Sequence, residues 1–324
     1  MSALGGQLES GGADIPLRYV QVKHVPLRTQ NKMEKEIPKI SFSNNHSLDI
    51  EVMTFDQLSE KLNQVKSHNS FVPHKIKFFL ILILTKNSYT HIVDFKSYKL
   101  ESGSALFVAK NQVHHFTKNI EKADGYCVVF NSLFTDKHHF LSGSLKLNRL
   151  FNYHIGTPVI TQKEMDGDDF IEIADTLYKE FHHPNGFAKS EMLSTLLQVL
   201  FLKAERAKEF QAVKGVKKHW LETFTNFKDM LEEEYGNTRN SRAYASKLFI
   251  SYKFLNDIVK QLTGKTVKAF IDNFVTIEIK RYLVSTSLSI QEIAYKTGFE
   301  EPSNMVKFFK KNAKTTPLKF RQQK

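Results

Sequence analysis

Residues 289–321, SIQEIAYKTGFEEPSNMVKFFKKNAKTTPLKFR, hold two short helical patterns separated by a break. Ile290, Ile293 and Ala294 share one apolar face, Gly298 interrupts the first helix, Phe299 follows as an apolar plug, and Pro302 opens the second helix. Ala294 suits a steep crossing, where only a small side chain fits, and Gly298 suits a tight turn that needs positive φ. Along the second helix Met305, Phe308 and Phe309 point inward. Ser303, Asn304, Lys307, Lys310 and Lys311 then point outward, a polar and basic surface of the kind that enters a DNA groove.

The string at 289–305, followed by TPLKFR at 316–321, resembles the C-terminal signature of the AraC/XylS family of bacterial transcription regulators. The resemblance implies a DNA-binding domain with two helix-turn-helix units, of which this is the second. It assigns base contacts to Ser303, Asn304 and Lys307. Lys310 and Lys311 sit a turn further on, nearer phosphates. Asn304 and Met305 stand where relatives carry aromatics, and Lys314 stands where a glycine is usual. Met305 is apolar and adaptable enough to fill an aromatic's core site.

Composition sets outer bounds. A chain of 324 residues with 41% apolar residues is long enough for about two cores. Cys127 is the single cysteine, which excludes an intrachain disulfide and fits a reducing interior. The longest apolar run, 78–84, falls far short of the roughly 20 residues a membrane helix needs. No signal-peptide pattern opens the sequence. The expectation is a soluble cytoplasmic protein without a membrane partner.

The net charge of +12 is uneven: residues 214–324 hold 21 Lys+Arg against 11 Asp+Glu, whereas the first 213 hold 25 against 23. Basic charge therefore travels with the helix-turn-helix, the footprint of a nucleic-acid-binding domain joined to a nearly neutral partner.

Residues 1–35 are Gly-rich at the start and lack steady periodicity, so they read as a disordered extension, with Met33 a candidate true start. Strand-like runs follow at 75–85, 89–95, 105–109 and 126–130, the spacing of a small barrel or sandwich. A helix at 56–65 is expected early, capped by Asp56. Residues 103–118 resemble the second motif of cupin barrels through Gly103 and His114, with Ala109 and Asn111 replacing its usual proline and glycine. Regulators of the AraC type place such a barrel before the DNA-binding domain as a ligand sensor.

No first cupin metal motif accompanies it, and a metal needs three or four converging ligands. His114 reads first as a hydrogen-bonded structural histidine, and second, with His74 and His91, as lining a ligand pocket. No catalytic set, metal site or cofactor is expected.

Helices are expected at 168–181 and 189–210. In the second, Leu193, Leu196, Leu197, Leu200 and Ala204 recur at three- and four-residue steps. Such a seam can zip to a second copy, with Leu193, Leu197 and Leu200 as dimerisation residues, or pack on its own barrel; the family resemblance favours dimerisation. KGVKK at 214–218 reads as a linker. Residues 219–235 open the DNA-binding domain with Trp220, Leu221, Phe224, Phe227 and Leu231 on one face.

The first helix-turn-helix follows, with Ala245 and Leu248 on its scanning helix and Ser251 as N-cap of its recognition helix. Leu255, Ile258, Val259 and Leu262 point inward before Gly264, and Phe249 replaces the usual turn glycine. Its groove candidates are Lys253, Asn256 and Asp257, with Lys260 nearer a phosphate. Residues 267–286 bridge the two units, with Phe270, Phe274 and Ile277 inward, and span roughly 30 Å, close to one turn of DNA. Val275 occupies a position where many relatives carry arginine.

The reading is an α+β chain: an N-terminal cupin-like β-barrel with flanking helices (36–160), a helical dimerisation region (161–213) and a C-terminal all-α domain with two helix-turn-helix units (214–324). Its function is a sequence-specific DNA-binding transcription regulator. The partners expected are double-stranded DNA, a second copy of the chain, RNA polymerase and a small-molecule effector. The alternative is a cupin-barrel enzyme or small-molecule-binding protein whose helical tail mediates protein contacts.

Overall fold

A computed structural model of the chain describes residues 37, 39–40, 48–64, 69–138, 150–165, 169–209 and 218–322. The N-terminal extension, Met33 and linker residues 214–217 lie outside the described residues.

Two five-stranded sheets make up the N-terminal half. One runs β1 (Lys39–Ile40), β3 (His74–Ile76), β8 (Val113–His115), β5 (Ser88–Val93), β6 (Lys96–Glu101). The other runs β10 (Val159–Ile160), β7 (Ala105–Val108), β4 (Phe79–Lys86), β9 (Asp124–Phe130), β2 (Ile50–Thr54). Apart from the parallel β1–β3 pair, every ladder is antiparallel.

The apolar run in β4 has a simple cause: both its faces are covered, so it does not alternate with polar residues. Leu80, Leu82 and Leu84 join Cys127, Leu100 and Tyr89 in the core between the sheets. Ile81 and Ile83 join Phe107, Val128 and Phe130 in a second core on the outer face. The run expected at 75–85 divides into β3 and β4. Strand β6, KSYKLE, escapes sequence reading because only Leu100 is fully buried along it.

Helix α1 (Phe55–Gln64) begins one residue early because Thr54, not Asp56, caps it. Thr54 Oγ1 accepts from the Gln57 N–H at 3.3 Å, and Gln57 Oε1 accepts from the Thr54 N–H at 3.0 Å, a reciprocal pair that satisfies two otherwise orphaned donors. Helix α2 (Ser132–Lys137) follows β9.

Helices α3 (Ile171–His182) and α4 (Lys189–Glu209) cover the outer face of the second sheet. Leu193, Leu197 and Leu200 are fully buried there with Ala174, Leu177 and Phe201, so they seal the chain's own core. This corrects the seam expectation. The three-and-four spacing marks a buried face and does not say which surface covers it.

The C-terminal half is helical: α5 (Lys218–Glu234), α6 (Ser241–Lys247), α7 (Tyr252–Thr263), α8 (Val267–Ser285), α9 (Ile290–Lys296), α10 (Pro302–Ala313) and α11 (Pro317–Gln322). Phe224, Phe227, Phe270, Phe274, Met305 and Phe309 build a core shared by both helix-turn-helix units. Helix α8 is buried almost all round, and Glu278 and Arg281 are among its buried residues. Ile277, expected inward, is only half-buried.

Candidate nucleic-acid interface

In the second unit, Ser289 caps α9 by accepting from the Glu292 N–H at 3.1 Å, and the Glu292 carboxylate accepts from the Ser289 N–H at 2.8 Å. Gly298 turns the chain at φ +76°, and Pro302 fills the first position of α10, where its missing N–H costs no helical bond. Met305 and Phe309 are buried, Phe308 is half-buried, and Ser303, Asn304, Lys307, Lys310 and Lys311 are all exposed. Lys314 adopts φ +58° and closes α10 with a bond from its N–H to the Lys310 carbonyl at 3.1 Å, the left-handed conformation a glycine would supply.

In the first unit, Ser251 caps α7 by accepting from the Phe254 N–H at 3.1 Å, and Gly264 ends it at φ +70°. Lys253, Asp257 and Lys260 are exposed. Asn256 departs from expectation. It is half-buried, and its Oδ1 accepts from the Val267 N–H at 3.2 Å, so it fastens α7 to the start of the bridge helix α8. Sequence reading missed Arg239, whose guanidinium lies 3.6 Å over the Phe299 ring and donates to the Gly298 carbonyl at 3.3 Å. That contact clamps the second turn.

Residues 244–323 match the family described as "Helix-turn-helix domain". The HTH-type transcriptional activator RhaS of Pectobacterium carotovorum is 22% identical over 263 residues, covering 78% of this chain and 88% of that protein. RhaS of Escherichia coli K12 is 20% identical over 255 residues with the same coverage. The chain carries a C-terminal helix-turn-helix domain and is a DNA-binding transcription regulator. Among solved structures, ToxT from Vibrio cholerae covers 84% of this regulator and 98% of its own chain at 12% identity and a TM-score of 0.42. The DNA-binding domain of AdpA, solved with a target DNA, covers 31% and 89% at 17% identity and a TM-score of 0.29. Likeness this loose locates no residue.

The regulator's N-terminal sheets bring together the three histidines singled out in the sequence. His91 Nε2 and His114 Nδ1 are 2.9 Å apart, and the His74 and His114 rings meet edge to face at 4.5 Å. Tyr89 Oη lies 3.1 Å from His91 Nδ1. Burial, with the charges of His115 and His74 adding to it, depresses the His91 pKa to about 3, and burial pushes the Tyr89 phenol up. Both groups are therefore neutral near pH 7, and each contact joins one donor to one acceptor in an order set by the ring tautomers. Because two of the rings spend facing nitrogens on each other, the set does not converge on a common point as metal ligands do. No group of three or more His, Cys, Asp or Glu able to hold a metal occurs among the described residues.

The least expected chemistry lies between the two halves. Arg281 of α8, 1% exposed, donates from Nε to Asp94 Oδ1 at 2.8 Å and from Nη2 to Asp94 Oδ2 at 2.7 Å, a two-point grip on a residue 187 positions away. It also bonds Glu278 and reaches the Tyr153 hydroxyl at 3.3 Å. Burial opposes the Arg281 charge, but Asp94, Tyr153 and Glu278 outweigh it and hold its pKa well above the ordinary value. Burial likewise opposes the Glu278 charge, and Arg281 and Lys75 outweigh it, holding that carboxyl below its usual range. Lys75 of β3 and Tyr235 each donate to Glu278 Oε2, at 3.3 and 3.4 Å. Every charge in the network thus has an opposite partner, the condition for burying charge at tolerable cost. The sequence held a faint sign of it in the Glu278–Arg281 pair, set three apart among the apolar residues Val275, Ile277, Ile279 and Leu283.

Among the described residues, no helix is long and apolar enough to cross a membrane.

Proposed function

We propose that this regulator reads a specific DNA site with both recognition helices, α7 and α10, in successive major grooves on one face of the duplex. One observation carries the reading: Lys253, Lys260, Ser303, Asn304, Lys307, Lys310 and Lys311 are all exposed on two helices joined by a single rigid helix. Helix α8 spans roughly 28 Å at 1.5 Å per residue, against about 34 Å for one turn of DNA. Ser303, Asn304 and Lys307 contact bases; Lys310 and Lys311 contact phosphates. Asp257 accepts from a cytosine amine or faces away from the backbone.

The two sheets at 36–160 form a cupin-like barrel that senses a small molecule at the Tyr89–His91–His114 set. Residues 161–213 pack on it, 214–324 bind DNA, and no catalytic step is assigned. The regulator works in the cytoplasm and communicates with RNA polymerase.

The full chain should bind a duplex selected from a random pool far more tightly than scrambled DNA, with affinity falling steeply as salt rises through counterion release. Lys307→Ala should weaken specific binding more than non-specific binding and relax preference at one or two base pairs, by about 1 to 3 kcal/mol. Lys311→Ala should weaken both equally and lower the salt slope by about one unit. Parallel loss of both affinities in Lys307→Ala would make Lys307 a phosphate clamp; absence of any salt-dependent binding would refute the reading.

A second copy pairs through the outward face of α4, where Met192, Val199 and Leu202 are 48, 37 and 44% exposed at helical spacing. Val199→Asp should leave the melting temperature nearly unchanged and shift sedimentation from dimer to monomer. Unchanged association would exclude this face.

A further inference from the structure

The turn that joins β5 to β6 consists of Asp94 and Phe95, with Val93 and Lys96 paired on either side. Both turn residues have positive φ, +46° and +70°. A two-residue hairpin loop of that geometry favours Asn-Gly or a similar pair, because side chains other than Gly, Asn and Asp are disfavoured there. Here both residues spend their side chains on the DNA-binding half. Asp94 grips Arg281, and the Phe95 ring meets Phe320 of α11 edge to face at 5.8 Å. Asn111, a third positive-φ residue at +69°, does the same: its Nδ2 donates to Glu232 of α5 at 3.0 Å while its Oδ1 accepts from Lys77 at 2.7 Å. Three left-handed backbone positions in the barrel thus carry side chains that reach α5, α8 and α11. Glycine at any of them would ease the backbone and lose the contact.

The same turn is tied to the buried histidines. The Asp94 N–H donates to the Val113 carbonyl at 2.8 Å, the Val113 N–H donates to Asp94 Oδ1 at 3.2 Å, and the Gln112 amide donates to Asp94 Oδ2 at 2.9 Å. Val113 is followed on β8 by His114, and His114 pairs in register with Val93, the residue before Asp94. One peptide unit on β8, from His114 to Val113, and three on β5, from His91 to Asp94, therefore separate the His91–His114 hydrogen bond from the carboxylate that holds Arg281. At the far end, Arg281 lies on the helix that sets the spacing of α7 and α10. The candidate DNA-contacting lysines remain exposed with the halves docked, so the junction does not act by covering them.

We propose that the Asp94–Arg281 pair is a coupling latch: it transmits the arrangement of the Tyr89–His91–His114 set in the barrel to the bridge helix α8, and so to the spacing of the two recognition helices. The inference builds on the effector reading above by giving it a route, and its test needs no effector. Arg281 and Asp94 are positioning residues in this scheme and touch no DNA.

The test is a mutant cycle on the full chain, read as affinity for a duplex selected by the native protein at fixed salt. Removing one member of the pair would strand a buried charge, so the latch is opened by Asp94→Asn together with Arg281→Met. The barrel is perturbed by His114→Gln. In the native background His114→Gln should change DNA affinity by at least fivefold; with the latch opened, the same substitution should change it by less than twofold. An equal effect in both backgrounds, or none in the native one, overturns the proposal. A second readout guards against variants that merely fold poorly. Amide exchange in α8 should quicken at least tenfold when the latch is opened, while exchange in β4 and β9 stays within twofold. Unchanged α8 protection overturns the latch, and quickening everywhere exposes general destabilisation and sinks the assignment as well. The effector reading fails separately, by small molecules leaving the barrel's melting unchanged while the cycle still shows coupling.

Discussion

The two helix-turn-helix units make the same turn with opposite residues. In the first, the Phe249 N–H bonds the Ser246 carbonyl at 3.0 Å and the Ile250 N–H bonds that of Ala245 at 3.1 Å; in the second, Gly298 bonds Tyr295 at 3.1 Å and Phe299 bonds Ala294 at 2.9 Å. The backbone sits at φ +55° in one and +76° in the other. Yet one position holds glycine and the other a phenylalanine that is 95% exposed. The difference lies beyond the turn. A Cβ on Gly298 would lie 2.4 Å from the carbonyl oxygen of Gly236, so the second turn is pressed against the chain just past α5. Nothing closes over Phe249. A left-handed conformation costs a side chain about 1 to 2 kcal/mol, which a domain can absorb; a collision between backbones has no such remedy.

The larger test of that contrast is Gly298→Ala. Strain at positive φ and displacement of the Gly236 segment together should cost about 3 kcal/mol in urea unfolding of the full chain. A loss under about 1 kcal/mol would show that the second turn yields easily and that the contrast is one of sequence only. The smaller test runs the other way. Phe249→Gly should stabilise the protein by about 0.5 to 1 kcal/mol, the relief of left-handed strain less the added freedom of the unfolded chain. Its affinity for the selected duplex should stay within twofold of native. Destabilisation, or a larger loss of affinity, would reveal a contact for this ring and give the first unit a reason of its own to refuse glycine.

The second unit was the most legible part of the sequence, since Ile293, Ala294, Gly298, Met305 and Phe309 report local helix faces and a local turn. The buried side of β4 was legible too, as a run of apolar residues. What escaped reading depends on partners far away in the chain. Glu278 and Arg281 look like a surface pair until Asp94 and Lys75 arrive from the sheets. The hairpin turn at Asp94–Phe95 carries no Asn-Gly signal because its residues serve the junction at the expense of the turn. The leucines of α4 announced burial correctly but not its partner, and Asn256 faced its neighbouring helix because a free N–H at Val267 lay within reach. His74, His91 and His114 stand together in the sequence reading only as a pocket lining; the register of β3, β5 and β8 is what supplies their contacts.

Cys127 sits fully buried on β9 between the two sheets, and burial raises its thiol pKa. The thiolate, which is the reactive form, is therefore suppressed while the sheets stay closed. Because it is the single cysteine in the chain, a thiol-specific dye added to the native protein would mark parting of the two sheets alone. Its labelling rate is a built-in clock for the N-terminal half, one that runs without any signal from the helices that bind DNA.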